Sequence, residues 1–186
     1  MYKHIIIITI LGLLISCESK TVIAPYTYAS NPIYTIGNAE FFGNYYANDS
    51  ILGSVFSVTL LTNGLTQTNG IIKGTGQKLY LENVFANPTD TILPAGTYTA
   101  SSKGSSFSFY PGSTTIIDNQ FYSLGAQIEY KEYNSYRNKN KLIVKGSFTV
   151  SYTNKLTTLN CNFVTNDSSK ITGSYTGIMT YINRSH

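Results

Sequence analysis

The sequence predicts an all-β fold: a single antiparallel β-sandwich of jelly-roll or meander type, with a closed antiparallel β-barrel as the alternative. Apolar and polar residues alternate with period two in run after run, which sets one face of each strand on a core and the other toward solvent. The composition favours pleated surface, with 16 Tyr and 9 Phe in 186 residues, abundant Thr, and 15 Gly to supply turns. After the first seventeen residues, no segment keeps a helical apolar period over three turns. About nine strands in one domain make a sandwich or a barrel, and spacing alone does not choose between them.

The chain opens with Lys3 and His4, an apolar run from Ile5 to Ile15, and then Ser16 and Cys17. A short basic start, an apolar stretch too brief to span a bilayer, and small residues after it make an export signal rather than a membrane helix. Leu14, Ile15, Ser16 and Cys17 resemble the lipobox of bacterial lipoproteins. The resemblance implies cleavage before Cys17 and acylation of both its sulfur and its amine. One acyl chain gives only marginal membrane binding, at about 0.8 kcal/mol per buried CH₂, so two or three are needed for a durable anchor. Surface-exported lipoproteins of Bacteroidetes type carry a more acidic stretch after the cysteine. Here Glu18 alone precedes Ser19 and Lys20, which leaves open whether the protein faces the cell surface or the periplasm from the outer membrane.

Residues 1–16 are thus expected to be a signal peptide, 17–36 the lipidated cysteine and a flexible tether with Pro25 and Pro32, and 37–186 the β domain. Removing the signal leaves about 170 residues, enough for one domain with a real core. Strands are expected over Phe41 to Ala47, Val55 to Leu61, Leu79 to Val84, Gly96 to Ala100, Phe107 to Tyr110 and Tyr122 to Tyr133. Asn63 with Gly64, Asn69 with Gly70, Pro94 to Gly96, and Pro111 with Gly112 punctuate them. Three clear runs follow. Leu142, Val144, Gly146, Phe148, Val150 and Tyr152 form one inward face; Leu159, Cys161 and Phe163 the next; Ile171, Gly173, Tyr175, Gly177, Met179 and Tyr181 the last. Polar turns at Asn154 with Lys155 and at Asn166 to Ser169 join these into a meander. Gly173 and Gly177, on one inward face, leave gaps for a neighbouring aromatic ring, as at a sandwich edge or a barrel seam.

Histidine restricts the chemistry. His4 leaves with the signal and His186 is the last residue, so the folded body has no imidazole for a Ser/His/Asp or Cys/His mechanism or for histidine-bound zinc. The carboxylates Glu40, Glu82, Glu129, Glu132 and Asp118 are the remaining route to acid/base work, but on polar strand faces they read as solvated charges. Asp49 and Asp167 lie in triplets that suit turns better than a calcium loop. The sequence therefore implies no enzyme, no metal and no cofactor. A diffuse net charge of +4 gives no nucleic-acid face, and Cys161 has no partner once Cys17 is acylated.

Asp49-Ser50-Ile51 and Asp90-Thr91-Ile92 resemble the O-glycosylation acceptor triplet of Bacteroidetes-type exported proteins, which would place sugars on Ser50 and Thr91. The most concentrated surface feature is a polar hairpin with Tyr130, Tyr133, Tyr136, Arg137, Lys139 and Lys141, beside Lys131 and Lys145. It reads either as a contact tip for an acidic glycan or lipid headgroup, or as a solvated loop that keeps a long hairpin soluble. Together these features resemble the small lipoproteins of Bacteroidetes. The expected function is a membrane-anchored, non-catalytic β domain that binds an extracytoplasmic glycan or protein. The alternatives are a lipocalin-like carrier whose cavity is lined by Tyr152, Phe163, Tyr175 and Met179, and a fimbrial or structural subunit with an unpaired sheet edge.

Overall fold

The structure is a computed structural model that describes residues 28–132 and 139–185. Within them the chain is almost entirely strand: β1 (Ile33–Gly43), β2 (Ser54–Thr62), β3 (Leu65–Thr68), β4 (Ile71–Gly74), β5 (Gly76–Ala86), β6 (Gly96–Ala100), β7 (Ser108–Phe109), β8 (Ser113–Ile117), β9 (Gln120–Leu124), β10 (Gln127–Lys131), β11 (Lys139–Thr153), β12 (Leu156–Thr165), β13 (Lys170–Ile171), β14 (Ser174–Gly177) and β15 (Thr180–Asn183). One 3-10 turn, Ala47–Asp49, interrupts the connection from β1 to β2. The all-β class is as the alternation predicts.

The pairings close on themselves. β1 pairs with β2 and β2 with β5; the first half of β5 pairs with β10 and the second with β7. β10 joins β11 directly, and β7 joins it through β6; β11 then pairs with β12, β12 with β14, and β14 with β1 again. This is the barrel alternative, a ring whose members are bonded on both sides, the arrangement that removes sheet edges. The expectation of a purely antiparallel sheet needs correction: β1 runs parallel to β14 and β15, and β6 parallel to β7. Parity is the reason. The ring β1, β2, β5, β10, β11, β12, β14 has seven members, and an odd ring cannot alternate direction all the way round, so one neighbouring pair must run parallel.

Buried side chains of the described residues pack the interior as one cluster. Tyr98 and Phe148, paired across β6 and β11, stack with ring centroids 4.7 Å apart and planes 3° from parallel. Phe109 packs on both Phe148 and Phe163, at 5.6 and 5.7 Å, and the aliphatic residues Val58, Leu60, Leu79, Leu81 and Ile128 complete one continuous cluster. Tyr34 belongs to that cluster, so the stretch expected as tether already contains the start of β1, held between β2 and the seam strands. Tyr34 fills the gap at Gly173, where a β-carbon would lie 2.7 Å from its ring. Tyr175 does the same at Gly37 and Gly177.

The expected inward face of β11 is correct only from Gly146 onward. Ile143, read as outward, is buried, while Leu142 and Val144 are only half-buried. The register against β12 slips between Ile143 and Lys145, and Gly146 takes a φ of 117°, so one extra residue reverses the parity. Such a bulge lets a long strand keep its apolar side inward while bending around a barrel. Tyr152, at the end of the same strand, is 39% exposed rather than inward.

Candidate functional site

Beside the loop that joins β1 to β2, the outer faces of β1, β2 and β5 form a groove. With Leu79 and Leu81 turned into the core, alternation sends Tyr80 and Glu82 outward, next to outward Val55 and Ser57 of β2 and Phe42 of β1. A second bulge then shapes the floor. Phe56 pairs with Val84 and Val58 with Leu81, so Glu82 and Asn83 together stand opposite the single residue Ser57. Asn83 takes a φ of 55°, and both side chains of the doubled position line the groove. Bulges are found next to functional sites because they re-aim side chains in this way.

One wall is aromatic. Tyr45 and Tyr46 meet edge to face at 4.9 Å; Phe42 stands 6.3 Å from Tyr45, and Tyr46 lies 6.0 Å from Phe85 and 6.2 Å from Tyr110. The Tyr46 hydroxyl donates to Asn83 Oδ1 at 2.9 Å, which locks this wall to the bulge. Tyr45 is left 66% exposed, with its ring available to a ligand. The groove has two lobes, of about 170 Å³ and about 440 Å³, which share Tyr46, Glu82 and Asn83 as a common partition. The larger lobe runs to Tyr110, Pro111, Ser113 and Leu124.

The floor is polar and partly engaged. Glu82 Oε2 accepts the Gly125 N–H at 2.7 Å. Ser57 Oγ donates to Glu40 Oε2 at 3.4 Å, and Glu40 Oε1 is paired with the Arg184 guanidinium at 3.1 Å. Burial pushes the Tyr80 phenol up to about 12, with the Glu82 charge adding to the rise and a hydrogen bond with Ser57 opposing it. The Tyr46 phenol is raised by burial and then by Tyr110 and Glu82. Both phenols therefore stay neutral at physiological pH, as donors beside a carboxylate acceptor. The arrangement offers a ring face for stacking and a short row of donors and acceptors for hydroxyl groups. Glu40 and Glu82, the two carboxylates here, are both partly exposed.

Of the sequence-predicted site residues, Tyr130 and Lys139 stand opposite each other across β10 and β11. Tyr130 is inward and 7% exposed, because β10 sends Ile128 and Tyr130 to the core and Glu129 outward to Lys78 at 3.0 Å; its place among the surface contacts is a correction. Tyr133, Tyr136, Arg137 and Cys17 lie outside the described residues. Lys139 is exposed, whereas Lys141 is paired with Asp167 at 2.7 Å and sits 4.9 Å over the Tyr28 ring. Asp167 holds its own turn by accepting from Thr165 Oγ1 and the Ser169 N–H, as turn chemistry predicts. Asp118 sits in the β8–β9 turn with φ 50°, and Glu132 follows β10. Ser50 and Thr91 are both exposed. Of the four residues expected to line a carrier cavity, Phe163, Tyr175 and Met179 are packed in the core. Tyr152 instead bonds through its hydroxyl to the Leu93 carbonyl and to Tyr181.

Sequence reasoning missed the groove, although its signal was present: Phe41, Phe42, Tyr45 and Tyr46 place four aromatics within six positions. They read as one strand, whereas the strand ends at Gly43 and the two tyrosines turn back over its outer face. Among the described residues, no three of His, Cys, Asp and Glu come together to hold a metal ion, and no helix is long and apolar enough to cross a membrane. Comparison with protein-family models, with curated proteins and with solved structures finds no match to the chain.

Proposed function

We propose that this chain is an exported lipoprotein, anchored through Cys17 in the outer membrane, whose β domain is a non-catalytic module binding an extracytoplasmic glycan in the Tyr45–Tyr46 groove. One observation carries the reading: an exposed aromatic wall stands over a floor of Glu82, Asn83 and Ser57. Sugar rings present an apolar face to stack and hydroxyl groups to bind, and this pairing of surfaces meets both needs. Concave sites with a few convergent polar groups are the usual form of small-ligand recognition. The core cluster, with Phe163, Tyr175 and Met179 packed in it, counts against an internal carrier.

The test is a glycan array probed with the full lipidated protein in detergent, followed by titration of each hit. Tyr45→Ala removes the exposed ring, and loss of such an anchor costs more than about 1 kcal/mol, or over fivefold in affinity. Glu82→Gln removes a charged acceptor worth about 1.5–3 kcal/mol, or roughly 10- to 150-fold. An array without hits, or hits indifferent to both substitutions, rejects the glycan reading. The anchor is tested separately: Cys17→Ala must release the protein from the membrane fraction.

A further inference from the structure

Between β7 and β10 the chain leaves the barrel as a free two-stranded arm. β8 and β9 pair only with each other, through a two-residue turn in which Asp118 and Asn119 have φ of 50° and 60°, the left-handed pair that a tight hairpin requires. The arm carries Ile116, Ile117, Phe121, Tyr122 and Leu124, all large, all exposed, and Phe121 is 76% exposed. The register places Ile116 opposite Phe121 on one face, and Tyr122 and Leu124 on the other face with Ile117. An isolated two-stranded ribbon is marginal in water, and this one hides neither side. A single protein partner would cover one face; apolar residues on both faces fit a medium that surrounds the arm.

The position of the arm indicates which medium. Its root is bonded at the level of Ile143, through the Gly112 N–H to the Ile143 carbonyl, while Ser123 Oγ accepts from Asn140 Nδ2 at 2.7 Å. The arm therefore runs toward the barrel end where Lys139 begins β11. At that same end Tyr28 donates its hydroxyl to the Lys139 carbonyl, and Ala29 bonds Gln77 Oε1 at 3.1 Å. Cys17 precedes Tyr28 by eleven residues, which span at most about 35–40 Å when fully extended. The arm thus runs toward the same end of the barrel as Tyr28, the first described residue.

We propose that the β8–β9 arm is a membrane-dipping hairpin, which immerses Ile116, Ile117, Phe121 and Tyr122 in the interfacial layer of the bilayer that holds the Cys17 lipid. The proposal rests on the anchor reading given above. Strands of five residues reach only about 17 Å, well short of a hydrocarbon core about 30 Å thick. The outer edges of the ribbon carry unpaired backbone groups, and Asp118 closes its tip, so the arm lies among headgroups and upper acyl chains rather than in the core. Exposed Lys139 at the same end suits the phosphates there.

The chain contains no Trp, so a single introduced indole is a clean reporter. The full lipidated protein carrying Phe121→Trp, and separately Ile117→Trp on the other face, is reconstituted into vesicles of phosphatidylethanolamine and phosphatidylglycerol with acyl chains brominated near the headgroup. Leu52→Trp is the control, since Leu52 is exposed just before β2, at the far end of that strand from its contacts with Leu79 and Lys78. The expected result is emission shifted to shorter wavelength and strongly quenched at both arm positions, with Leu52→Trp unchanged. Protein that floats with the vesicles while both arm reporters stay unshifted and unquenched overturns the arm proposal and leaves the anchor intact. Protein that does not float overturns the anchor reading, and the arm with it. Quenching on one face only, or a concentration-dependent shift without lipid, overturns immersion and assigns the ribbon to a docking surface or to a second copy of the chain.

Discussion

Replacing Gly146 with alanine tests the bulge that sets the inward face of β11. Gly146 sits at φ 117°, and a β-carbon there would lie 2.1 Å from the Asn162 carbonyl oxygen and 2.8 Å from the Phe163 Cα. Both neighbours are backbone of β12, so no side chain can swing aside. Holding alanine at such a φ costs about 1–3 kcal/mol, and forcing the two strands apart adds about 1–3 kcal/mol more. Gly70→Ala is the matched control, because its φ of 79° is also left-handed but nothing lies within 4 Å of the new carbon. It bears only the conformational cost, about 1–2 kcal/mol. For a domain of this size each kcal/mol moves the melting temperature by about 2–4 °C. Gly146→Ala is expected to melt roughly 4–24 °C lower and Gly70→Ala roughly 2–8 °C lower, followed by near-ultraviolet circular dichroism of the core tyrosines. Equal shifts for the two variants would refute the claim that β12 packs against this bulge.

The remaining expectations concern single groups. Hydrogen bonds from Lys141, then Thr165 and Ser169, hold the Asp167 carboxyl well below its ordinary value of 3.8. A depressed carboxylate stabilises the fold above that ordinary value and loses its contribution as pH falls from there toward the depressed one, so Asp167→Asn is expected to flatten the acid side of a melting-temperature profile below about pH 4; a parallel profile contradicts this. Burial pushes the Cys161 thiol far up, which keeps it neutral and unreactive. Iodoacetamide is expected to leave the native protein unmodified and to alkylate Cys161 only in denaturant, and rapid native labelling would show the strand opens there. Intact-mass measurement of the protein from a glycosylating host is expected to show a loss of one glycan each for Ser50→Ala and Thr91→Ala, and an unglycosylated wild type rules both sites out.

Legibility in the sequence followed the physics of burial. Where a strand keeps one parity, the alternation suffices: Leu159, Cys161 and Phe163 are inward as read, and Asn154 with Lys155 forms a turn with both φ positive. Where a residue is inserted, parity is lost without warning, as at Gly146 and at Glu82–Asn83, since a bulge is decided by the curvature of the closed sheet. β3–β4 and β8 went unread because a mostly exposed ribbon has little buried face to impose a period; the single strand expected over Tyr122 to Tyr133 is instead two, β9 and β10, broken at Gly125 with φ 75°. Tyr130 shows local composition misleading: the alternation that turns Glu129 outward turns Tyr130 inward, and clustering with lysines suggested otherwise. The aromatic groove needs the loop after β1 to fold back, a tertiary fact that the Phe-Phe and Tyr-Tyr pairs signal only as a concentration of rings.

The seam where β1 meets β14 and β15 also imposes an order of events. Ile33 pairs with Ser174 and Phe41 with Asn183, so the first strand waits for the last before it gains its second neighbour. A ribosome releases these partners well over a hundred residues apart, and bringing such distant segments together carries a loop-closure cost that must be met before any bond rewards it. Until then β1 presents a bare edge to whatever handles the nascent chain. A protein assembled this way keeps its ring open until β14 has been made, so losing β14 would leave β1 without its second neighbour at the seam rather than merely trim a strand.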